Sequence, residues 1–261
     1  MLAVVTALAM APMTDPRKTR LDHLLTLRGL AATRSRARDL IKRGVVTVGG
    51  AVETRPGIGL PPDAEIAVNE DWSGYVSRGA LKLEAALDRF GFDCAGLVAL
   101  DIGASTGGFT QTLLRRGARR VYAVDVGRGQ LHPEIAADAR VVSLENTDAR
   151  RLDRTHIPEP AEAIVADLSF ISLTKALPAA LSLTARGAWA IVLVKPQFEV
   201  GPGLVGKGGI VKSEAARQAA LDGIAAFFAA QPGWRVVDTM PSPIEGQSGN
   251  REYLIGARHA P

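Results

Sequence analysis

The chain is poor in the residues from which metal and disulfide sites are built. It has 261 residues, of which one is cysteine, four are histidine and 5% are aromatic. Cys94 has no second cysteine with which to form an internal disulfide, and the sequence contains no cysteine–histidine cluster of the kind that binds zinc. We therefore expect a protein of the reducing cytoplasm that needs no metal ion.

The sequence also lacks an apolar run long enough to cross a bilayer, which takes about 20 residues. Residues 1–12, MLAVVTALAMAP, are apolar but too short, and they do not begin with the basic residues of a secretory signal. We expect residues 1–18 to be a disordered extension, with Met13 as the true start. We expect no stable association with membranes.

Charge is distributed unevenly along the chain. The formal net charge is +4, yet residues 1–55 hold 10 Lys and Arg against 4 Asp and Glu, and the remaining residues hold 21 against 23. An excess of +6 at one end and −2 in the rest is typical of a nucleic-acid-binding module joined to a near-neutral enzyme. A basic surface that simply faces water is the alternative interpretation.

Residues 19–68 are predicted to form a small α+β domain. Apolar residues at helical spacing indicate two helices, of which the second is capped by Thr33 or Ser35 and runs to about Arg43. A strand, the tight turn Gly49-Gly50 and another strand follow. Basic residues at intervals of four share one face of the second helix: Arg34, Arg38 and Lys42.

The rest of the chain alternates between apolar runs and helical patterns. Residues 69–76 form a polar linker, and helices are predicted at 77–90 and 213–230. Strands are predicted near residues 97–102, 121–126, 141–145, 163–168 and 189–195, with a closing antiparallel pair near 234–238 and 252–257. This alternation predicts an α/β domain over residues 77–261, with a largely parallel sheet covered on both faces.

A glycine-rich turn is the most informative local feature. An apolar run ends at Ile102, the turn Gly103-Ala-Ser-Thr-Gly-Gly108 follows, and a helical pattern begins there. A strand, a tight turn and a helix N-terminus together are where α/β proteins bind adenosine-type ligands. The next apolar run carries Asp125, about twenty residues on, where a carboxylate can bind ribose hydroxyls.

Glycine-containing patterns admit other interpretations. A dinucleotide site needs a second glycine where this chain has Ser105, so S-adenosylmethionine, which has no pyrophosphate, fits better than NAD. The same turn matches the G-x-S-x-G elbow of hydrolases, but it follows the first strand, and the only late histidine is His259. Residues 201–208 match G-x-x-x-x-G-K but lack the Ser or Thr of a phosphate-binding loop, which favours a flexible loop that closes over substrate.

Several blocks, in order along the chain, resemble the TlyA family of ribosomal-RNA 2′-O-methyltransferases, which are also called haemolysin-like proteins. Residues 20–50 resemble an S4 RNA-binding domain, and the whole resemblance covers residues 19–258. The methyltransferase blocks are residues 77–83, 101–110, 125–131, 166–172, 194–201 and 248–253. The resemblance implies a Rossmann-like class I methyltransferase domain of the FtsJ-like type, preceded by a small α+β S4-like domain.

The resemblance also implies the functional residues. FtsJ-like enzymes use a Lys-Asp-Lys-Glu tetrad, which falls here on Lys82, Asp167, Lys195 and Glu252. The S-adenosylmethionine site would comprise Asp101, Gly103, Ser105, Gly107, Gly108, Phe109, Asp125 and Asp148. RNA would be bound by Arg20, Arg34, Arg38, Lys42 and Arg43.

The implied activity is transfer of a methyl group from S-adenosylmethionine to a ribose 2′-hydroxyl, of a cytidine, in ribosomal RNA, with ribosomal subunits as partners. The cofactor is already activated, so the protein must position two reactants and take one proton. Lys195 ends an apolar strand, at the edge where α/β sheets build sites. As a base it must be neutral, which burial and the nearby Lys82 favour and Asp167 opposes.

Other functions stay open at this point. A membrane-active haemolysin is suggested by the family's second name, although the chain has no basic amphipathic lytic helix. An RNA-binding protein with an inactive methyltransferase fold is the other, and the intact tetrad argues against it. Single residues of the tetrad also have a purely structural interpretation. Lys82, for example, lies off the apolar stripe of its helix, as a solvated lysine would.

Overall fold

The computed structural model describes residues 18–31, 33–42, 44–68, 74–246 and 249–261. These residues divide into two compact units, one ending before Gly74 and one running from Gly74 to Pro261. Three features of the sequence interpretation lie outside the described residues: nearly all of the expected extension (1–17), Arg43, and most of the linker (69–73).

The smaller unit packs helices against short strands. Its helices are α1 (Leu21–Leu27) and α2 (Arg34–Lys42), and its strands are β1 (Thr19–Arg20), β2 (Val46–Val48), β3 (Ala51–Val52), β4 (Gly59–Leu60) and β5 (Ile66–Val68). Strands β3, β2 and β5 form one antiparallel sheet, and β1 pairs with β4. Apolar residues from both helices and from β2 make one shared core.

Local chemistry explains where α2 begins and ends. The backbone N–H of Arg36 donates to Thr33 Oγ1 (3.1 Å), so Thr33 is the capping residue. Gly44 follows the helix with φ +71°, a left-handed conformation that glycine adopts without strain. Ala37 and Ile41 are fully buried, as the apolar face of the helix predicts.

The larger unit is built, over its described residues, around a seven-stranded sheet. The strands are β6 (Val98–Ile102), β7 (Arg120–Val124), β8 (Val141–Leu144), β9 (Ala161–Ala166), β10 (Thr184–Val194), β11 (Trp234–Pro241) and β12 (Tyr253–His259). They lie in the order β11-β12-β10-β9-β6-β7-β8. Strands β6 to β10 are parallel, and β12 is antiparallel to both of its neighbours. The predicted α/β architecture is confirmed.

Helices cover both faces of this sheet. They are α3 (Gly79–Phe90), α4 (Gly108–Arg115), α5 (Pro133–Ala136), α6 (Leu173–Ser182), α7 (Pro196–Glu199) and α8 (Glu214–Ala230), with 3-10 helices at Ala149–Arg151, Pro202–Leu204 and Lys207–Gly209. One apolar cluster is formed by buried side chains of α6 and α8 together with Leu100 of β6. Another is formed by buried side chains of α3 and α4 together with Ala99 of β6. Neighbouring residues of a strand point to opposite faces, so the clusters lie on the two sides of the sheet.

The strand order places the predicted site residues together. The order reverses at β6, which has β7 on one side and β9 on the other. In α/β sheets, ligands bind beyond the carboxyl ends of such strands. Gly103 directly follows β6 and Asp167 directly follows β9, so the predicted cofactor turn and a predicted catalytic carboxylate share this crevice. No helix within the described ranges is long and apolar enough to cross a membrane.

Candidate active site

The turn after β6 requires glycine at the predicted positions. Gly103 has φ +87°, and a Cβ there would lie 2.6 Å from the backbone oxygen of Asp167. Gly107 has φ +92°, and a Cβ there would come within 2.9 Å of a neighbouring leucine. A side chain on Gly108 would collide with Ser77, just before α3. Glycine therefore lets the turn approach the end of β9 and lets α3 pack against α4.

The carboxylate of Asp125 fixes the middle of the turn. Its Oδ2 accepts a hydrogen bond from the backbone N–H of Ser105 (2.8 Å), and its Oδ1 accepts one from Gly127 (2.7 Å). Ser105 has φ +48°, which is uncommon for a residue other than glycine. Each carboxylate oxygen has a second lone pair, so Asp125 can still accept hydrogen bonds from a ligand hydroxyl.

Asp101 and Phe109 support the turn from the core side. Phe109 is 3% exposed and belongs to the apolar cluster with α3 and α4. Asp101 is fully buried, and its Oδ2 accepts a hydrogen bond from Thr110 Oγ1 (2.6 Å). Burial raises the pKa of Asp101 to about 7, and the negative charges of Asp167 and Asp125 act in the same direction. Direct contact of either residue with a cofactor stays a prediction.

Asp148 is engaged by its own neighbour. Its Oδ1 accepts a hydrogen bond from the backbone N–H of Arg150 (3.0 Å), and its Oδ2 pairs with the Arg150 guanidinium at 2.6 Å. The hydrogen bonds from Arg150 lower the pKa of Asp148 to about 2. The structure gives Asp148 a capping role at the 3-10 helix, and the predicted contact with adenine remains a prediction.

Lys82 and Glu252 form a buried ion pair across 170 residues of sequence. Lys82 Nζ lies 2.6 Å from Glu252 Oε2, and the two side chains are 9% and 3% exposed. Glu252 Oε1 occupies the space that a Cβ on Gly246 would need. Lys82 is thus a buried lysine of α3 rather than a solvated one, and glycine at 246 makes room for its partner.

Lys195 and Asp167 form a second ion pair. Lys195 Nζ lies 2.6 Å from Asp167 Oδ1 and donates a hydrogen bond to Ser169 Oγ (3.0 Å). The side chains of Lys195 and Asp167 are 12% and 24% exposed, so this pair is more open than the first. An amine at the mouth of the crevice, held by two oxygens, can reach a substrate that approaches from solvent.

Strand register brings the two ion pairs together. Val194 pairs with Tyr253 across β10 and β12. Lys195 directly follows Val194 and Glu252 directly precedes Tyr253, so both lie at the same edge of the sheet. Asp167 Oδ2 would lie 3.8 Å from a Cβ on Gly79, the first residue of α3, and Lys82 follows one turn later. The four predicted tetrad residues therefore converge around the first turn of α3, beside the glycine-rich turn.

Arg78 was not predicted to be a site residue, yet it lies among the tetrad. It precedes Lys82 by one helical turn, and the charge of Glu252 acts on it. Its side chain is half-buried, and this burial lowers the pKa of Arg78 despite the opposing charge of Glu252. Within the described part of the chain, its guanidinium has no hydrogen-bonding partner. Its place in the block 77–83 was the one clue to a site role.

Phe170 is a second residue that the sequence interpretation missed. It lies three residues after Asp167, has φ +67° and is 91% exposed. Its ring centroid is 5.2 Å from that of Phe198, which follows Lys195. A solvent-exposed aromatic ring in this conformation can stack on a flat ligand beside the Lys195 amine. Apolar character alone predicts burial for Phe170, and its place in the block 166–172 was the one clue to a site role.

The glycine-rich loop after α7 is held at its far end. Asn250, which is 4% exposed, accepts a hydrogen bond from the N–H of Val211 (3.1 Å) and donates one to the backbone oxygen of Gly209 (2.8 Å). Asn250 lies two residues before Glu252, so the loop is tied to the segment that carries a tetrad residue. The predicted flexible loop over residues 201–208 thus leads into a fixed anchor.

The predicted RNA-binding arginines of the smaller unit converge on one carboxylate. Asp22 is fully buried, and its oxygens pair with Arg20 at 3.1 Å, Arg34 at 3.3 Å and Arg38 at 3.0 Å. Hydrogen bonds, first from Arg20, hold the pKa of Asp22 well below its usual range despite its burial. The three arginine side chains are about half exposed, and Lys42 is exposed on the same helix face. One carboxylate thus holds three cations at the surface.

Two protein families match this chain over its two units. The FtsJ-like methyltransferase family matches residues 75–259, and the S4 domain family matches residues 19–66. No group of three or more His, Cys, Asp or Glu among the described residues is arranged to hold a metal ion.

Relatives and solved structures agree with this match. The 16S/23S rRNA (cytidine-2′-O)-methyltransferase TlyA of Mycobacterium tuberculosis is 44% identical over 93% of this chain and 90% of its own. Hemolysin A of Brachyspira hyodysenteriae is 39% identical over 90% of this chain and 98% of its own. A solved hemolysin candidate from Streptococcus thermophilus superposes with a TM-score of 0.73, at 36% identity, over 94% of this chain and 90% of that one. The chain therefore belongs to the FtsJ-like methyltransferase family and, within it, to the TlyA proteins.

Proposed function

We propose that this protein transfers a methyl group from S-adenosylmethionine to the 2′-hydroxyl of a cytidine in ribosomal RNA. The observation that carries the proposal is the Lys195 amine, held 2.6 Å from Asp167 at the carboxyl edge of the sheet, with the Lys82–Glu252 pair beside it. Two lysines and two carboxylates in one crevice suit removal of a proton from a weakly acidic hydroxyl.

The residues around the glycine-rich turn fit S-adenosylmethionine. Gly103 and Gly107 let the turn adopt left-handed conformations and pack closely beside the crevice, and Asp125 offers acceptor lone pairs for ribose hydroxyls. Bound there, S-adenosylmethionine supplies an electrophilic methyl group on a positively charged sulfur. Asp101 and Phe109 would hold the turn rigid from within the core, and Asp148 would face the adenine.

Within the tetrad, each residue has a distinct proposed role. Lys195 accepts the proton of the 2′-hydroxyl or orients that hydroxyl as the proton leaves, and Asp167 fixes the position of its amine. Lys82 is paired with Glu252 and buried, so it contributes a fixed positive charge near the developing alkoxide. Positioning of the hydroxyl then supplies much of the remaining rate enhancement.

The smaller unit and the rim of the crevice would bind the RNA. Arg20, Arg34 and Arg38 carry a net positive charge around Asp22, and half-exposed guanidinium groups of this kind bind phosphates without reading sequence. Beside the tetrad, Arg78 would take a phosphate of the target strand, and Phe170 would stack on a base. A substrate of this kind is met in the cytoplasm, on ribosomal subunits.

Mass spectrometry of ribosomal RNA tests the proposal. RNA from cells with the gene, without it, and with the Lys195→Met variant is digested and searched for 2′-O-methylcytidine. We expect one or more ribose methyl groups that appear only with the unaltered gene, and transfer of labelled methyl to purified ribosomal subunits by the protein. RNA methylation unchanged among the three strains would overturn the proposal, and lysis of erythrocytes by the purified variant would favour a haemolysin instead.

A further inference from the structure

Side-chain contacts join the segments that follow strands β9 and β10, after which Asp167 and Lys195 lie. Loop 167–172 follows β9, and residues 195–199, which include α7, follow β10. Three contacts join them near the site: Lys195 with Asp167, Lys195 with Ser169, and the ring of Phe170 with that of Phe198. The loop that carries Asp167 therefore lies directly against the segment that carries Lys195.

Glu199 makes two further contacts between these segments. It is half-buried at the end of α7, and its Oε2 accepts a hydrogen bond from Ser172 Oγ (2.6 Å). Its Oε1 accepts one from the backbone N–H of Leu173 (2.9 Å), the first residue of α6. Both carboxylate oxygens are thus used on the far end of loop 167–172. Hydrogen bonds to an ionised carboxylate are stronger than neutral ones, and a negative charge at a helix N-terminus is favourable.

The lengths of the elements explain why such a contact matters. Helix α7 has four residues, too few to be stable without tertiary contacts. Loop 167–172 contains Phe170 at φ +67°, a conformation that has to be imposed by its surroundings. The loop is anchored at one end by β9, and the Glu199 hydrogen bonds fix the other end.

We infer that Glu199 is a positioning residue for methyl transfer, which locks loop 167–172 so that Asp167 and Ser169 hold the Lys195 amine in place. The inference rests on the proposed methyl transfer. In this role Glu199 acts through the loop rather than on a reactant. Its removal lets the loop move relative to Lys195, and displacements of about 1 Å at a reacting group can cost as much as 100-fold in rate.

Kinetics of matched variants test the inference. Glu199→Ala removes both hydrogen bonds, Glu199→Gln keeps an acceptor for Leu173, and Ser172→Ala removes only the hydroxyl partner. We expect kcat to fall about 10- to 100-fold in the alanine variant and much less in the other two, with the KM for S-adenosylmethionine within about twofold of the unaltered value. Asp222→Ala, which removes an exposed carboxylate of α8 that accepts a hydrogen bond from Gln218, serves as the control with unchanged kcat.

Hydrogen exchange separates this inference from the proposed function. In the full-length protein, the Leu173 amide should exchange faster in Glu199→Ala than in the unaltered protein, whether or not the RNA assay succeeds. Faster exchange with kcat unchanged would overturn the positioning role, as would slow exchange in both proteins. A loss of kcat that Glu199→Gln shares in full, or that a weaker affinity for S-adenosylmethionine accounts for, would also overturn it. An unaltered protein that fails to methylate RNA would instead defeat the proposed function.

Discussion

The two units of this protein arrange basic side chains and carboxylates in opposite ways. In the smaller unit, one buried carboxylate, Asp22, holds three half-exposed arginines, so positive charge is in excess and faces solvent. In the larger unit, the four predicted tetrad residues are matched one to one in two ion pairs, Lys82–Glu252 and Lys195–Asp167, and are mostly buried. Excess charge at a surface suits a polyanion, and balanced charge in a crevice suits chemistry.

The choice of cation follows the same division. A guanidinium stays charged at any pH that a protein meets and offers several donors to phosphate, whereas a lysine amine can serve as a base. Arginines accordingly surround Asp22, and lysines occupy the tetrad. The difference predicts that variants of the larger unit change the rate of the chemical step, and that variants of the smaller unit change RNA affinity and its dependence on salt.

The largest expected effect is on the chemical step. Lys195→Met should lower single-turnover methyl transfer to ribosomal subunits by about 10²–10⁴-fold, because the proton then has no positioned acceptor. Binding of S-adenosylmethionine and of RNA should change little. Lys175→Met, at an exposed lysine of α6, is the control and should transfer methyl groups at the unaltered rate. Equal rates for the two variants would remove the tetrad from the mechanism.

Neutralising arginines of the smaller unit should act on affinity instead. Arg34→Gln with Arg38→Gln should weaken RNA binding about tenfold or more and should reduce the slope of log affinity against log salt by roughly 1.4–1.8. Arg55→Gln, which removes the same charge from an arginine paired one to one with Glu53, should leave the slope nearly unchanged. A slope that the double variant shares with the unaltered protein would mean that the Asp22 cluster does not contact phosphates.

Arg78 sharpens the comparison because it is an arginine inside the lysine site. Arg78→Gln should raise the KM for RNA about tenfold and change kcat far less, because it removes a half-buried guanidinium that has no hydrogen-bonding partner among the described residues and would bind a phosphate. Arg89→Gln, at the other end of α3 and paired with Asp238, is the control. A fall in kcat at unchanged KM would place Arg78 in the chemical step rather than in RNA binding.

The smallest effects are on stability. The two buried aspartates should change the free energy of unfolding in opposite directions as pH rises. Asp22 has a lowered pKa when folded, so its stabilisation is present above the unfolded value near ~3.9 and is lost as pH falls below it. Asp101 has a raised pKa of about 7, so the folded protein holds a proton that the unfolded chain releases, and the free energy of unfolding falls as pH rises from about 4 to 7.

Thermal unfolding against pH measures both effects. Asp101→Asn should flatten the pH dependence of Tm between pH 4 and pH 7, where the unaltered protein loses a few degrees. Asp22→Asn should lower Tm at neutral pH, because three arginines then lack their carboxylate. On acidification, the Tm of this variant should fall less than that of the unaltered protein. A Tm profile for Asp101→Asn that parallels the unaltered one between pH 4 and pH 7 would mean that Asp101 is already ionised there.

The sequence predicted the strands of the larger unit because strands buried on both faces appear as apolar runs. It also predicted the cap of α2 and the glycines of the turn, since those depend on neighbouring residues. The burial of Lys82 was not predictable from its helix, where its position indicates solvent, because the partner Glu252 lies directly before β12, 170 residues away in sequence. The tetrad was reached through resemblance, and only the register of β10 with β12 explains why distant residues meet.

Other features of the site could not be derived from composition or spacing. Phe170 is apolar and follows a buried strand, so composition predicts a core residue, whereas its backbone conformation turns it to solvent. The convergence of three arginines on Asp22 depends on how α1 packs against α2, which spacing along one helix does not reveal.

One measurement tests most directly whether the two ion pairs form one active site. Single-turnover methyl transfer is measured for Lys82→Met, Lys195→Met and the double variant. Residues that act as a unit are strongly non-additive, so the account predicts that the double variant is about as slow as the slower single variant. A double variant slowed by the product of the two single effects would mean that the lysines act independently and would contradict a shared site.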